Sequence, residues 1–312
     1  MIADPLSDIL TAFDMKSHLS GGITAGGDWA IRFAPPQAIK FGVLQSGSCW
    51  HQVEGCGPPV RLAQGDVFVV NGLHPLRLAS DPAVEPIDAD TAFANTEDGM
   101  AILGCGDTLR LLGGHVELDP TGYALLSGEL PPFIHIGAAT QQAGILAWLL
   151  DRLIDETVHA RPGRSAITRP LAQLLFVHVL REHIERGGVE KGWLRAAGDA
   201  RIAPAMSLMH ADPARNWRLA ELARAVGMSR SSFAERFRSV CGMPPLSYLT
   251  LWRMRLAEGA LRDGAPSLSA LSASLGYASE SAFSTAFKRI VGMAPSHYRY
   301  KTGAAELVLS AE

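Results

Sequence analysis

Two short stretches of the chain place polar and charged side chains at helical spacing around a pair of phenylalanines. Phe233 and Phe237 are four residues apart, and so are Phe283 and Phe287, which marks the buried face of two short helices. The remaining positions hold groups that suit nucleic acid: guanidinium and ammonium groups attract phosphates, and hydroxyl or carboxylate groups bond to base edges. The first set is Arg230, Ser231, Ala234, Glu235 and Arg238, and the second is Glu280, Ser281, Ser284, Thr285, Lys288 and Arg289.

The chemistry of these side chains suggests a division of roles. Four basic residues are expected to contact phosphates: Arg230, Arg238, Lys288 and Arg289. Glu235 and Glu280 have two open interpretations, since each can accept a hydrogen bond from cytosine or simply cap its helix and face solvent. Neither set contains the Asn or Gln that pairs with adenine through two hydrogen bonds. Which bases are read therefore does not follow from the sequence.

Ten histidines raise the question of a metal site or an enzyme in the first half of the chain. His51 stands three residues before Glu54, but His74 is far from both, and the sequence has no HxH motif. It also lacks GxSxG, HExxH and a phosphate-cradling glycine loop. We therefore predict no catalytic residues, no metal and no cofactor. A metal-binding protein or an enzyme is the alternative interpretation of this half of the chain.

The first half does contain residues suited to sensing. An apolar pocket with a few polar groups is enough to bind a small-molecule effector. Six residues are candidates for its lining, with the hydrophobic core as their other role: Trp29, Phe41, Trp50, His51, Phe68 and His74. Oxidation of thiols is a second sensing chemistry, and Cys49, Cys56 and Cys105 are either oxidant sensors or inert core residues.

Composition limits the classes of protein to which the chain can belong. Its 312 residues are enough for about two domains, and 47% hydrophobic with 19% charged residues is typical of a globular protein. The apolar runs are far shorter than the roughly 20 residues of a membrane span, so no membrane partner is expected. Asp4 and Asp8 stand where an export signal would carry positive charge. These features predict a cytoplasmic protein.

The net charge of −3 conceals a strong asymmetry along the chain. Residues 205–302 contain 13 basic and six acidic side chains, a balance of +7, whereas the remainder has 15 basic and 25 acidic ones, a balance of −10. An asymmetry of this size indicates that the C-terminal part meets a polyanion. Double-stranded DNA is the partner that this charge predicts.

The periodicity of the apolar residues changes along the chain and predicts an α+β protein of several domains. Short β-prone runs between turn residues predict a β-rich sensor domain over 1–136. Helical periodicity predicts two helices and a linker over 137–200, with the linker at residues 190–200. The wide apolar faces of the two helices either form a homodimer seam or pack within the chain. Short helices follow over 201–302, and residues 303–312 form a tail.

The C-terminal region contains an internal repeat of about 30 residues. Leu219 to Gly227 align with Leu268 to Gly276 at an offset of 49, and Phe233 to Tyr248 align with Phe283 to Tyr298 at an offset of 50. Each copy predicts a short helix, over 219–226 or 268–275, then a glycine turn and a second helix capped by a serine, Ser229 or Ser279. This is the helix-turn-helix arrangement, whose second helix enters a major groove. A connecting helix over Leu246–Asp263 is predicted to hold the two copies apart.

The sequence resembles the AraC/XylS-type transcription regulators in these same segments. The similarity lies in GYASESAFSTAFKRIVGMAPSHYR, residues 276–299, and in MSRSSFAERFRSVCGMPPLSYLTLWRMRLA, residues 228–257. It implies a seven-helix DNA-binding domain, and it places seven residues at groove-facing positions: Ser231, Ala234, Glu235, Glu280, Ser281, Ser284 and Thr285. Upstream, residues 65–82, 111–136 and 162–184 resemble the subgroup whose sensor is a cupin-like β-barrel.

The resemblance implies a one-component regulator, not an enzyme. The alternative is a cupin-type metal-binding protein or enzyme fused to a DNA-binding domain. An effector or an oxidant would act on the N-terminal domain and change how the two helix-turn-helix units meet DNA. The expected partners are double-stranded DNA, a small-molecule effector, a second copy of the chain and, if the protein is an activator, RNA polymerase.

Overall fold

The computed structural model describes residues 4–300 except 14, 95, 97, 98, 139–142, 160, 189, 265 and 266. The described residues form two compact units. One is built from residues 15–189, and the other combines the N-terminal helix with the residues that follow 190. Within the described part of the chain, no helix has the length and apolar character needed to cross a membrane.

The first unit, residues 15–189, is built around two β-sheets. Its strands are β1 (Lys16–Gly26), β2 (Ala30–Phe33), β3 (Ile39–Ser46), β4 (Ser48–Val53), β5 (Val60–Ala63), β6 (Val67–Val70), β7 (Leu76–Ala79), β8 (Ile87–Asp88), β9 (Met100–Gly104), β10 (Leu109–Glu117) and β11 (Phe133–Ile136). One sheet has the order β11-β6-β3-β10-β1-β9, and the other has the order β5-β4-β7-β2-β8. The β-rich first domain is thus confirmed, with its strands in two sheets and not in one closed barrel.

The helices divide between the two units. They are α1 (Pro5–Ala12), α2 (Ala89–Phe93), α3 (Pro120–Glu129), α4 (Ala143–His159), α5 (Arg164–Glu185), α6 (Trp193–Ala197), α7 (Ala203–Ala211), α8 (Leu219–Ala225), α9 (Arg230–Cys241), α10 (Pro245–Arg262), α11 (Leu268–Ser274) and α12 (Glu280–Val291). Residues 295–300 are also helical. Helices α7–α12 and residues 295–300 match the seven helices that the family resemblance implies.

The core of the first unit lies between the two sheets. Leu44, Phe68 and Leu111 come from the larger sheet and meet Leu62 and Leu78 of the smaller one. Alternation along each strand sends every second side chain into this layer. Burial of these side chains stabilises the pair of sheets, since each apolar side chain removed from water contributes about 1.5–3 kcal/mol.

The N-terminal helix α1 belongs to the helical unit. The sequence pattern instead predicts that it lies in the sensor domain, over residues 1–136. Leu6, Ile9 and Leu10 of α1 are buried, and α1 packs against α6, α7 and α10. The buried imidazole of His210 in α7 donates from Nδ1 to Asp8 Oδ2 at 3.1 Å and accepts from the Tyr248 hydroxyl at 2.7 Å. The β pattern begins only after residue 14, so sequence periodicity alone did not separate this helix from the strands.

The segment predicted as a linker, residues 190–200, is part of the packed helical unit. It contains α6, in which Trp193 and Leu194 are buried, and it ends at Asp199. Asp199 accepts from Arg236 of α9 at 2.8 Å and from two backbone N–H groups, and the Arg236 bond lowers the pKa of its carboxyl against the effect of burial. Residues 190–200 therefore brace α9.

Candidate nucleic-acid interface

Each helix-turn-helix unit is shaped by the glycine and the serine that the sequence singled out. Gly227 and Gly276 have φ angles of +67° and +77°, which end α8 and α11 sharply because only glycine adopts this conformation without strain. Ser229 Oγ then accepts from the Ser232 N–H at 3.2 Å, and Ser279 Oγ accepts from the Ala282 N–H at 3.1 Å. Both predicted N-caps are confirmed, and they fix where α9 and α12 begin.

The phenylalanine pairs anchor the two second helices. Phe233, Phe237, Phe283 and Phe287 are all 0% exposed. The ring centroids lie 5.7 Å apart in each pair, so the copies pack alike. The burial pattern of residues 230–240 repeats without a change over residues 280–290. The repeat in the sequence is therefore a repeat in structure, with the same face of each helix left exposed.

The exposed faces carry the residues predicted to contact DNA. Nine of the eleven are exposed: Arg230, Ser231, Glu235, Arg238, Glu280, Ser281, Thr285, Lys288 and Arg289. Ala234 and Ser284 are half-buried at equivalent positions, next to the phenylalanines. All eleven lie on α9 or α12, and their contact with DNA stays a prediction.

The basic side chains of this surface differ from several other arginines of the unit in their ion pairs. In the described part of the chain, Arg230, Arg238, Lys288 and Arg289 have no ion pair with a carboxylate. By contrast, other arginines are held inside the unit: Arg215 pairs with Glu221, Arg236 with Asp199 and Arg255 with Glu258. The positive charges of these four side chains on the two second helices are therefore available to a polyanion.

Arg253 is a residue that sequence reasoning missed. It extends from α10 and donates to the carbonyl oxygens of Pro213 at 2.6 Å and of Arg215 at 3.0 Å. Its guanidinium also lies 5.6 Å from the centre of the Tyr277 ring, in the turn of the second copy. Arg253 therefore ties the segment before α8 to the second turn. The sequence did not predict this role, because one more arginine in a basic region does not indicate which groups it contacts.

The six residues predicted to line an effector pocket lie in different places in the first unit, and their contact with an effector stays a prediction. Phe41 and Phe68 line a cavity of the first unit, together with residues that the sequence did not indicate. Trp29 belongs to the core between the sheets, and His51 is 1% exposed. Trp50 and His74 are half-buried but do not line this cavity. For Trp29 and His51 the alternative role, packing in the core, is the one observed.

Burial makes His51 a neutral histidine. Its ring stacks on Phe133 at 4.2 Å and lies 5.0 Å from Phe68, and its buried Nε2 has no hydrogen-bond partner among the described residues. Burial, with a smaller effect of His135, lowers its pKa to about 3. Unfolding therefore allows His51 to take up a proton at pH values between about 6.5 and 3.

A His51→Phe variant should lose this pH dependence. The unfolded state of the wild type binds one more proton in this window, so its free energy of unfolding falls by up to about 1.4 kcal/mol per pH unit as pH decreases. Phenylalanine does not titrate and fills the same stacked position. Urea unfolding at pH 7, 6 and 5 should give a smaller decrease for the variant than for the wild type. Equal decreases would contradict a buried neutral His51.

The structure separates the three cysteines that were considered as oxidant sensors. Cys49 is buried, and burial together with the charge of Asp66 raises its pKa to about 12, which keeps the thiol protonated and unreactive. Cys56 and Cys105 are exposed. Among the described residues, no group of three or more His, Cys, Asp or Glu side chains is placed to hold a metal ion.

Both parts of the chain match known families. Residues 4–185 match the cupin family model, and residues 222–301 match the helix-turn-helix domain model. A putative AraC-like transcription regulator of Streptomyces lividans is 41% identical over 95% of this chain and 98% of its own length. One from Streptomyces antibioticus has the same identity and coverage. The HTH-type transcriptional regulator AlkR of Acinetobacter baylyi is 29% identical over 96% of this chain and 100% of its own length.

These relatives span nearly the whole chain, so the similarity includes the sheet unit as well as the repeated helices. The duplicated turn, the serine caps and the exposed basic faces agree with the same assignment. The chain belongs to the AraC-like transcription regulators, with a cupin domain followed by a helix-turn-helix DNA-binding domain.

Proposed function

We propose that α9 and α12 enter successive major grooves on one face of a DNA duplex. The observation that carries this proposal is the identical exposed face of the two helices, whose basic residues have no ion pair within the described chain. Arg230, Arg238, Lys288 and Arg289 contact phosphates. The small side chains Ser231, Ala234, Ser281, Ser284 and Thr285 let the helices approach the base edges, with Glu235 and Glu280 beside them.

The connecting helix supports simultaneous binding by both copies. Helix α10 has 18 residues, which corresponds to a length of about 27 Å. Successive major grooves on one face are roughly 34 Å apart. The length of α10 is therefore of the same order as the spacing between the two grooves.

Footprinting of the DNA that flanks the chain's own gene would test this function. The full-length protein should protect two segments separated by about one helical turn, 10–10.5 bp. Its affinity should fall steeply as salt increases, since phosphate contacts release counterions. Protection of a single segment, or no protection at any protein concentration in the titration, would contradict the proposal.

In this proposal the protein is a regulator without catalytic activity that works in the cytoplasm, where its DNA is found. A small-molecule effector binds the sheet unit and favours one of two conformations, as coupling between sites requires. If the protein is an activator, RNA polymerase is a further partner. Among the described residues, no group of three or more His, Cys, Asp or Glu side chains is placed to hold a metal ion, so no metal site favours the alternative of a metal protein.

We also propose that α4 and α5 form a homodimer interface. Ile145 and Trp148 of α4 are 49% and 57% exposed, and their spacing of three puts them on one face. Ile167 and Leu174 of α5 are also exposed, and their spacing of seven puts them on one face as well. Apolar faces of this kind become stable in water when a second copy covers them.

A Trp148→Glu variant should therefore behave as a monomer. A charge in the centre of an apolar interface costs several kcal/mol, which raises the dimer dissociation constant by about 100-fold or more. Sedimentation velocity at micromolar protein should show half the wild-type mass. The matched control is Ile102→Glu, because Ile102 is 79% exposed on the edge strand β9 and should leave the mass unchanged. A wild-type mass for Trp148→Glu would exclude α4 from the interface.

A further inference from the structure

The two sheets of the first unit form most of the wall of a half-open cavity. Its volume is about 430 Å³, and most of its wall is apolar. The side chains that line its inner part are Ile23, Phe68, Val70, Leu76, Leu78 and Leu111. Phe93 of α2 closes one side of the wall, in a segment whose sequence gave no sign of a pocket. A volume of 300–1,000 Å³ is typical of small-molecule sites.

One charged side chain reaches this apolar space from the larger sheet. Lys40 of β3 lines the cavity and shares its strand face with Leu44, a residue of the core. Its cross-strand neighbours are Val70 of β6 and His115 of β10. No ion pair of Lys40 with a carboxylate is found in the part of the chain that the structure describes. Burial lowers the pKa of its ammonium group.

A lysine in this position is unusual because a half-buried ammonium group without a counter-charge destabilises the fold. A serine and a histidine lie beside it. Ser20 lines the same cavity, and its hydroxyl is 2.6 Å from His115 Nδ1. Burial, with a smaller effect of the Lys40 charge, lowers the pKa of His115. Asp90 also lines the cavity, but it is exposed to solvent, so its charge is screened.

Glycines keep this end of the cavity open. Gly113 of β10 lies two residues from Leu111, on the same face of the strand, and opposite Gly42. A Cβ atom at Gly113 would have only the Gly21 carbonyl oxygen, at 3.9 Å, within contact distance. The space next to Lys40 is therefore empty because small residues surround it, and a larger side chain at position 113 would fill it.

We propose that this cavity binds an amphipathic anion, a molecule with an apolar body and a single carboxylate. The carboxylate lies between the Lys40 ammonium group and the Ser20 hydroxyl, and the apolar body extends along Phe68, Val70 and Leu111. A cavity of about 150 Å³ holds one benzene, so the present volume corresponds to roughly 17 non-hydrogen atoms. The ligand removes the cost of an unpaired half-buried charge, which explains why a lysine is placed here. This inference rests on the proposed function only in taking the ligand as the effector.

Binding of three probes with the same chain length to the full-length protein tests the proposal. Dodecanoate, 1-dodecanol and dodecyltrimethylammonium would be titrated calorimetrically below their aggregation concentrations. Dodecanoate should bind about tenfold or more tightly than the alcohol, the size of one charge-assisted hydrogen bond. The ammonium compound should bind more weakly than the alcohol. Equal binding of dodecanoate and the alcohol, or no binding of dodecanoate, would overturn the proposal.

Two variants then locate the ligand. Lys40→Met should reduce dodecanoate binding to the level of the alcohol and leave the alcohol unchanged. Gly113→Val, which fills the cavity, should weaken both probes. Arg61→Met removes an exposed charge on β5 of the smaller sheet and should alter neither. Wild-type dodecanoate binding by Lys40→Met would show that Lys40 is not the receiving group, even if Gly113→Val failed to fold.

Operator binding by the same proteins separates this inference from the proposed function. If the wild type and Lys40→Met bind the operator equally without dodecanoate, the regulator function stands whatever the calorimetry shows. A wild type that binds dodecanoate through Lys40 but protects no DNA would contradict the proposed function and support the ligand class. A dodecanoate-dependent change in operator affinity that Lys40→Met abolishes would support both.

Discussion

A Ser281→Glu variant is expected to bind the operator about 100-fold more weakly than the wild type. Ser281 is exposed at the second position of α12, on the surface proposed to face the major groove. A carboxylate there meets the phosphates and acceptor atoms of the DNA, and like-charge contact in an interface costs several kcal/mol. The stability of α12 should not decrease, because an acidic residue in the first turn interacts favourably with the helix dipole.

Two matched substitutions make this result specific. Ser231→Glu is the equivalent change in the first copy and should weaken binding to a similar degree, since Ser231 is exposed at the second position of α9. Ser165→Glu places the same charge at the second position of α5, in the other unit, and should leave operator affinity unchanged. Gel-shift titrations of the three variants give the comparison. Wild-type affinity for Ser281→Glu would exclude α12 from the interface.

The helical unit was predictable because its information is local and duplicated. A glycine turn, a serine cap and phenylalanines at a spacing of four each specify a short piece of backbone. The copies confirm each other: α8 and α11 were expected at 219–226 and 268–275 and are found at Leu219–Ala225 and Leu268–Ser274. The +7 charge of the region also predicted which partner it meets, although several of its arginines prove to be held in internal bonds.

The first unit was harder to predict because its strands depend on distant partners. Strand β1, Lys16–Gly26, contains three glycines and no continuous β-prone run, yet it lies between β10 and β9 in the larger sheet. The cavity depends on the same long-range pairing. Lys40 reaches it only because β3 pairs with β6 and β10 in a register that puts Lys40 on the inner face. No local pattern around residue 40 contains that information.

The repeat also contains an asymmetry that the sequence alignment does not show. Gly227 and Gly276 occupy the same turn position with similar φ angles. At Gly227 a Cβ atom would meet nothing within 4 Å, whereas at Gly276 it would overlap the carbonyl oxygen of Ala214. That carbonyl belongs to the segment that Arg253 holds through Pro213 and Arg215. The second turn is thus packed against the segment before the first helix, and the first turn is open.

Gly276→Ala is therefore expected to destabilise the helical unit far more than Gly227→Ala. Both changes put a Cβ atom at positive φ, which costs about 1 kcal/mol. Gly276→Ala adds an overlap with backbone that Arg253 keeps in place, and overpacking of this kind costs about 1–3 kcal/mol more. Urea unfolding followed by circular dichroism should show a loss of about 1 kcal/mol for Gly227→Ala and about 3 kcal/mol for Gly276→Ala. Equal losses would mean that the 213–215 segment yields freely and that Arg253 does not join the two copies. A larger loss of unfolding free energy for Gly276→Ala, which becomes smaller in an Arg253→Ala background, would show that Arg253 joins the two copies. The contact between the second turn and the 213–215 segment would then fix α9 and α12 relative to each other.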